Sequence, residues 1–566
     1  MSETDKKQNF LHGAAWLAMA TVIVKIIGAL YKLPMNMIIG AEGYAYFSTA
    51  YDIYAVLMTL STAGLPVAVS RMVSQNYTLG HYNRLRQVYR VARNVFLVLG
   101  TVFGLFMALG CVQLAGALNQ PDAWLCILCL SPCLLLMCAA SPCKGFFNGQ
   151  GNMRPASISQ VLEAFFKLVV GLVLAYIIKE VTGNIAYAAG GAILGVTCGT
   201  LGSMIYVRIK FGKSYRNLPQ SAETVESSFT TLKSLLAIAI PLIIGSSGTQ
   251  ILTVLETGLY MDRLVDLIAT NQYMGHMVQG AMTAQRAAAE LKGVYNLSQT
   301  IFNLPCAFIA PLTVSLLPAI TAFITKGEEK TAKETAESAA RITGLIALPC
   351  AVGITVLARP ILALLGGYSG QQLEIGAVLL SLQGVMVALY CFNFLSNCVL
   401  QSYGKMVMPV VNMILCGILR LPAVYMLVSN PNLGIVGAPL GALIGYVGSA
   451  VMNVLVTRKL IASKPRLLGN MLRALLPALI MGVVTWGAYQ GMVALVGLDG
   501  SRLLLSIQVI NELKKHYADK LFETTISRGV KLSEAPGFGM PVYYHDKRSK
   551  GAEEYMSVAK ELMQRI

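Results

Sequence analysis

The chain has few charged side chains: Asp, Glu, Lys and Arg make up 13% of its 566 residues. A soluble globular protein carries about 25%, so this shortage argues against a water-soluble domain. Hydrophobic residues make up 55% of the chain, and the mean hydropathy is +0.62. The composition therefore indicates an integral membrane protein.

The sequence also lacks the patterns that mark many enzymes and metal proteins. It contains no Gly-x-x-x-x-Gly-Lys-Ser/Thr loop to cradle phosphates. Twelve cysteines are present, and several recur between Cys126 and Cys143, in an apolar run without histidine or carboxylate neighbours. Cysteine in such a run acts as a small apolar residue. We therefore expect no metal site, no cofactor and no enzymatic activity.

Apolar runs of about twenty residues or more recur along the chain, long enough to cross the hydrocarbon core of a bilayer as helices. They are too long and too continuous to be barrel strands. We expect an all-α integral membrane protein with about thirteen transmembrane helices. The expected spans are 10–31, 45–71, 91–117, 124–146, 155–178, 184–208, 234–259, 296–324, 341–366, 375–402, 407–428, 433–457 and 467–497.

Basic residues concentrate in every second loop, whereas the opposite loops 118–123, 367–372 and 429–432 contain no Lys or Arg. Basic loops of membrane proteins face the cytoplasm, so the pattern predicts a multi-pass membrane protein with a cytoplasmic N-terminus. The same pattern explains the net charge of +17 without nucleic acid as a partner. The long, mixed loop 260–295 is the exception.

A glycine-rich phrase occurs twice, as Gly191-Ala-Ile-Leu-Gly-x-x-x-Gly-x-x-Gly202 and as Gly437-Ala-Pro-Leu-Gly-x-x-x-Gly-x-x-Gly448. Small residues at this spacing let helices pack closely in lipid. Because the first six runs match the next six in order, we expect two parallel six-helix lobes, as in alternating-access transporters. The expected regions are a cytoplasmic tail (1–9), a first lobe (10–232), a second lobe (233–460), one extra helix (461–498) and a short soluble α/β fragment (499–566).

Charged residues inside a membrane helix cost about 3 kcal/mol each and therefore mark candidate substrate-binding sites. Lys25, Lys167 and Arg420 are candidate ligands for phosphates. Glu163 and Lys167 lie four residues apart, so they either form an ion pair or line a cavity. The full set of cavity candidates is Lys25, Asp52, Glu163, Lys167, Glu256 and Arg420. Candidate hinges, or else plain helix starts, are Pro34, Pro66, Pro155, Pro318 and Pro409.

Two motifs carry a family resemblance. The first is Lys25-x-x-Gly-x-x-Tyr-x-x-Pro34 with Leu60-Ser-x-Ala-Gly-x-Pro66, and the second is Lys144-Gly-Phe-Phe-Asn-Gly149. Over residues 8–498 the chain resembles the stage V sporulation protein B family, whose members are polysaccharide-type exporters related to the lipid II flippase. Ala45, Phe146 and Asn148 depart from that family's usual residues. Its members normally have fourteen spans, one more than expected here.

The resemblance implies a flippase that moves a lipid-linked oligosaccharide or peptidoglycan precursor of the undecaprenyl-pyrophosphate type by alternating access, in cell-wall or spore-cortex synthesis. The resemblance also implies the bacterial cytoplasmic membrane as its location, and its partners would be that precursor and the membrane lipids. Two alternatives remain open. A cation-coupled multidrug exporter would need acidic residues in its cavity, as Asp52 and Glu256 could provide. A non-transporting scaffold for envelope or sporulation machinery would have a filled centre.

The C-terminal segment is similar to a different family. Residues 501–566, with Ile526-Ser-Arg-Gly-Val-Lys-Leu-Ser-Glu-Ala-Pro536, resemble the C-terminal end of ParA/Soj-type partition ATPases. Because no phosphate-binding loop precedes this segment, the resemblance does not imply ATPase activity. It implies a fusion or a joining of two reading frames near residues 498–502.

Overall fold

The computed structural model describes residues 3–62, 64–219, 223, 225, 227–270, 283–405, 407–496, 552–553, 556–558 and 561. The chain divides into two compact units, Met1–Ala488 and Tyr489–Ile566. Throughout the described residues the regular secondary structure is helical. The prediction of a helical membrane protein is confirmed at this level.

The first unit is built from long helices joined mostly by short turns. The first half of the chain forms α1 (Glu3–Thr62), α2 (Leu65–Thr78), α3 (Tyr82–Leu109), α4 (Cys111–Ala117), α5 (Trp124–Gly149), α6 (Arg154–Thr182) and α7 (Ile185–Arg216). The second half forms α8 (Ser228–Ala269), α9 (Ala284–Thr325), α10 (Glu329–Val356), α11 (Ala358–Gly366), α12 (Gly370–Ser402), α13 (Val407–Val428), α14 (Gly437–Leu460), α15 (Leu467–Met471) and α16 (Leu475–Val496).

Over the residues searched, ten helical segments are long and apolar enough to cross a membrane. One of them, residues 23–78, is long enough for two crossings, and the helical conformation is interrupted at Gly40, whose φ is +71°. A positive φ is readily adopted only by glycine, which explains why the chain can turn there. Helix α1 begins at Glu3, inside the predicted tail 1–9.

The duplicated glycine phrase brings two helices together in each half. On α7, a Cβ atom at Gly195 would lie 2.2 Å from Gly171 Cα of α6. On α14, a Cβ atom at Gly441 would lie 2.4 Å from Val424 Cγ2 of α13. The glycines therefore allow α6 to pack on α7 and α13 to pack on α14 at distances that a larger residue would forbid.

The predicted loop 260–295 is wrong as to its extent. Helix α8 continues to Ala269 and α9 already begins at Ala284. Residues 284–295 contain Arg286, Glu290 and Lys292, which give the segment a low hydropathy although it is helical. These three side chains contact other parts of the protein. Lys292 is thereby placed on a fully buried helix face.

The predicted soluble fragment 499–566 lies almost wholly outside the described residues. Residues 552–553, 556–558 and 561 are helical. The predicted α/β character of the fragment stays a prediction.

Candidate functional site at the seam between the lobes

The segments 10–232 and 233–460, predicted to be the first and second lobes, contact each other along α1 and α9. A Cβ atom at Gly293 of α9 would lie 1.8 Å from the Ala41 carbonyl oxygen of α1, so only glycine permits this approach. Tyr44 Oη lies 2.7 Å from Thr300 Oγ1 in the same contact. We call the half of this contact that includes residues 36–52 and 284–300 the pinned end of the seam.

Asn36 extends the pinned end towards the turn that follows α11. Its Nδ2 donates to the Gly366 carbonyl at 3.1 Å, and its Oδ1 accepts from Tyr368 Oη at 2.9 Å. Both residues are buried. A buried side-chain amide that uses both of its ends holds the two lobes in a defined register.

An ion cluster lies at the outer edge of the pinned end. Arg286 Nε lies 3.7 Å from Glu42 Oε1 and 3.7 Å from Asp122 Oδ2. Tyr46 Oη donates to Glu42 Oε1 at 2.7 Å and lies 3.3 Å from the Asp122 carboxylate. Because Arg286 belongs to the second lobe and its partners belong to the first, this cluster also joins the lobes.

Deeper in the seam, Asp52 forms an ion pair with Lys292. Lys292 Nζ lies 3.5 Å from Asp52 Oδ2 and donates to Thr49 Oγ1 at 2.6 Å. The Lys292 side chain is fully buried, so its charge requires such partners. Sequence reasoning singled out Asp52 but missed Lys292, because Lys292 lies outside the apolar runs. Its only signal in the sequence is that it lies three to four residues from other polar residues on the same face of α9.

Lys167 of α6 is bound by aromatic groups instead of a carboxylate. Its Nζ donates to Tyr51 Oη at 2.8 Å and lies 4.8 Å from the Tyr51 ring centroid and 5.0 Å from the Tyr31 ring centroid. These distances are typical of cation–π contacts. Lys32 of α1 lies within electrostatic range of both Lys167 and Asp52, so a second cation borders the same space.

The alternative of a Glu163–Lys167 ion pair is not what the structure contains. Glu163 Oε2 lies 3.9 Å from Lys144 Nζ of α5, a long and partly exposed pair. Glu163 is thus paired with Lys144, and Lys167 has no carboxylate within ion-pair distance among the described residues.

Arg420 of α13 is neutralised by Glu256 of α8. Arg420 Nε donates to Glu256 Oε1 at 2.9 Å, and Arg420 Nη2 donates to Glu256 Oε2. A two-point contact of this kind is stronger and more directional than a single hydrogen bond. The two candidates predicted independently from the second lobe therefore form one pair.

Lys25 of α1 is exposed, and it lies within electrostatic range of Cys306 on α9. Lys25 and Lys32 lie seven residues apart on α1, so they lie on the same face of that helix, two turns apart.

The hinge candidates occupy different positions in their helices. Pro66 and Pro155 lie at the first positions of α2 and α6, and Pro409 lies in the first turn of α13, where proline is readily accommodated. Pro34 lies inside α1, six residues before the break at Gly40, and Pro318 lies within the bounds of α9.

A cavity of about 580 Å³ opens in the second lobe beside Arg420. Asn393, Asn397, Gln401 and Tyr446 line it together with apolar side chains. Asn393 Nδ2 donates to the Tyr446 carbonyl at 2.9 Å, and Asn397 Oδ1 accepts from Asn453 Nδ2 at 2.9 Å. Amide groups held in this way can donate hydrogen bonds to the hydroxyls of a polar ligand and accept hydrogen bonds from them.

The charges of the seam do not cancel. The inner part of the seam and the helices beside it contain six basic and three acidic side chains, a formal charge of +3, and the outer residues Arg286, Glu42, Asp122 and Glu290 lower the sum to +1. Each of the three inner carboxylates is already paired, Asp52 with Lys292, Glu163 with Lys144 and Glu256 with Arg420. The unmatched charge is therefore positive. The basic residues are Lys25, Lys32, Lys144, Lys167, Lys292 and Arg420, and the acidic ones are Asp52, Glu163 and Glu256.

Comparison with known proteins identifies the class of membrane protein to which this helical fold and its charged seam belong. The model of the polysaccharide biosynthesis protein family matches residues 10–324, and the MatE model matches residues 269–426. The first match covers more than half of the chain, so the protein belongs to the polysaccharide biosynthesis protein family. The predicted membership in the class of membrane flippases and exporters is confirmed.

Individual relatives agree with this assignment. The chain is 24% identical to stage V sporulation protein B of Bacillus subtilis (strain 168) over 458 residues, covering 80% of this chain and 85% of that protein. It is 23% identical to the lipid II flippase MurJ of the same organism, covering 79% and 82%. An inward-facing multidrug resistance MATE family transporter shares the fold, with a TM-score of 0.61 at 16% identity over 80% of this chain and 98% of that one.

A second, shorter similarity concerns a different protein. A segment of 62 residues is 52% identical to the sporulation initiation inhibitor protein Soj of Bacillus subtilis (strain 168), covering 11% of this chain and 24% of that protein. The predicted resemblance to partition ATPases is thus confirmed for a fragment only.

Proposed function

We propose that the protein is a flippase for an anionic, lipid-linked glycan precursor of the undecaprenyl-pyrophosphate type, in the bacterial cytoplasmic membrane. The observation that carries this proposal is the unmatched positive charge of the seam. Lys25, Lys32 and Lys167 have no carboxylate within ion-pair distance among the described residues, and a pyrophosphate would supply the missing negative charge. The related lipid II flippase makes a phosphorylated lipid a reasonable substrate class.

The physical problem that such a protein solves is the transfer of a charged, hydroxyl-rich head group across hydrocarbon. Without a polar pathway the head group would lose its water without compensation. Cations at the seam would replace the water around the phosphates, and the amide-lined cavity beside Arg420 would receive the sugar hydroxyls. The isoprenoid tail would stay in lipid.

The position of the inter-lobe bonds supports a proposal of alternating access. The pinned end lies away from the basic loops, so with a cytoplasmic N-terminus it faces outward. This form would therefore be closed to the outside, and release of substrate would require the bonds of Asn36, Arg286 and Lys292 to break while the lobes rotate.

A cation-coupled drug exporter is the second candidate, since drug exporters share the fold. Such a mechanism needs a carboxylate available to a cationic drug or a coupling ion. Asp52 and Glu256 are both paired with a basic side chain here, which favours the anionic substrate.

The test is translocation by the full chain in vesicles loaded with a lipid-linked precursor. We expect Lys25→Gln with Lys167→Gln to lower the rate at least about tenfold, because two phosphate ligands are lost. A matched control is Lys210→Gln with Lys213→Gln, which removes two exposed cations at the end of α7.

The control should translocate normally, and both variants should melt near the wild-type temperature. Normal translocation by the Lys25/Lys167 variant would contradict the cation–pyrophosphate account. Efflux of a cationic dye that needs Asp52 would favour the drug exporter.

A further inference from the structure

A second polar cavity lies at the opposite end of the second lobe from the pinned end. It measures about 690 Å³ and lies where α14 ends, the chain turns, and α15 begins, with α10 and α12 as its other walls. Four basic side chains line it and none of its lining residues is acidic. Those four are Lys333, Arg458, Lys464 and Arg466.

The four basic side chains of this cavity are not neutralised by carboxylates of the described residues. Within the described residues none of the four forms a side-chain ion pair within 4.0 Å. The nearby Glu337 carboxylate accepts the backbone N–H of Arg466 at 3.0 Å, so this acid positions the turn.

One buried hydroxyl points to a ligand independently of charge. Thr457 lines the cavity and is 97% buried, since its relative exposure is 3%. Within the part of the chain that the structure describes, its Oγ1 has no hydrogen-bond partner. Buried polar groups are nearly always satisfied, so an acceptor or donor supplied from the cavity would complete this site.

The turn that forms the cavity is held rigidly. Ser463 Oγ and Tyr403 Oη lie 3.0 Å apart, and Arg341 Nε donates to Asn470 Oδ1 at 3.2 Å. Ile461 and Leu467 are buried on either side of the turn. The basic groups are therefore presented by a fixed frame.

The surroundings of the cavity decide between a dissolved anion and a lipid. Leu468 lines the cavity and is 41% exposed, and Leu455 and Leu472, which are 59% and 43% exposed, lie within a few residues of its lining on the same membrane-spanning segments. Acyl chains would cover these leucines while a phosphate enters the basic cavity. Basic pockets of this kind at the membrane surface suit anionic lipid head groups.

We propose that this cavity binds the phosphate head group of an anionic phospholipid. The general excess of basic residues in such loops and the favourable placement of cations at the C-terminal end of α14 explain the charges alone. They explain neither the concave shape nor the unpaired Thr457 hydroxyl.

The test measures lipid retention on the purified full chain by native mass spectrometry, with phosphatidylglycerol and phosphatidylcholine as probes. We expect Arg458→Gln with Lys464→Gln to weaken phosphatidylglycerol retention about fivefold or more, and Thr457→Val to weaken it about two- to fivefold. The control Lys210→Gln with Lys213→Gln removes equal charge from the first lobe and should stay within about twofold of wild type. Phosphatidylcholine retention should not change.

Equal losses in both double variants would make the attraction a diffuse property of the basic surface and overturn the site. Displacement of the lipid by millimolar inorganic phosphate would assign the cavity to a free anion and overturn the lipid proposal. Thr457→Val is nearly isosteric, so it tests the site even if the double variant fails to fold. Because no translocation is measured, this outcome is independent of the flippase proposal.

Discussion

In the first lobe the glycines of α7 pack on α6, and in the second lobe the glycines of α14 pack on α13. The basic side chains on the matched helices α6 and α13 nevertheless have different partners. Lys167 lies between two tyrosine rings without a carboxylate, whereas Arg420 is held at two points by Glu256. The same helix packing thus carries a cation without a carboxylate partner among the described residues in one half, Lys167, and a cation paired with a carboxylate in the other, Arg420. On the proposed function, the first lobe would attract the anion and the second would mainly supply a polar cavity.

The largest expected effect separates the two ion pairs of the lobes. Glu256→Ala should lower the free energy of unfolding by about 3–5 kcal/mol, because it removes a buried carboxylate that holds Arg420 at two points and leaves that cation unpaired. Glu163→Ala, whose pair with Lys144 is a single contact of 3.9 Å, should cost only about 0–1 kcal/mol. Denaturation of the two purified variants in detergent measures the difference. Similar costs would mean that the two pairs are equivalent.

A second comparison uses matched glycines. At Gly199 a Cβ atom would lie 2.6 Å from the Glu163 carbonyl oxygen, while at Gly445 it would lie 3.1 Å from Arg420 Cδ. Backbone cannot move aside as a flexible side chain can, so Gly199→Ala should cost about 1–3 kcal/mol and Gly445→Ala less. Thermal unfolding of both variants checks this order, and the reverse order would show that the second lobe packs more tightly than its contacts indicate.

The smallest expected effect concerns the tyrosine that positions Lys167. Tyr51→Phe removes one hydrogen bond but keeps the ring beneath the ammonium, so we expect a loss of about 1 kcal/mol and a translocation rate lowered only a few-fold. The rate is measured in the same vesicles, with Tyr176→Phe as a control on the exposed surface of α6. A loss as large as that of Lys167→Gln would make the hydroxyl itself a ligand.

Sequence reasoning identified the helical membrane class, the repeat and most of the charged residues that the seam contains. Asp52, Glu256 and Arg420 stood out because a charge within an apolar run is costly. Lys292 did not, because it lies in a polar stretch that reads as a loop. Partner choice was also beyond the sequence: spacing suggested Glu163 with Lys167, but Glu163 pairs with Lys144 on another helix.

The sequence by itself determined the length and hydropathy of the helices, the alternation of basic loops and the glycine spacing, because each is a property of neighbouring residues along the chain. Only the tertiary structure decided which charges meet and which stay unmatched. An ion pair depends on distances between helices that lie far apart in sequence, as Glu256 and Arg420 do. The same dependence leaves Lys167 without a carboxylate, although one lies a single turn away on its own helix.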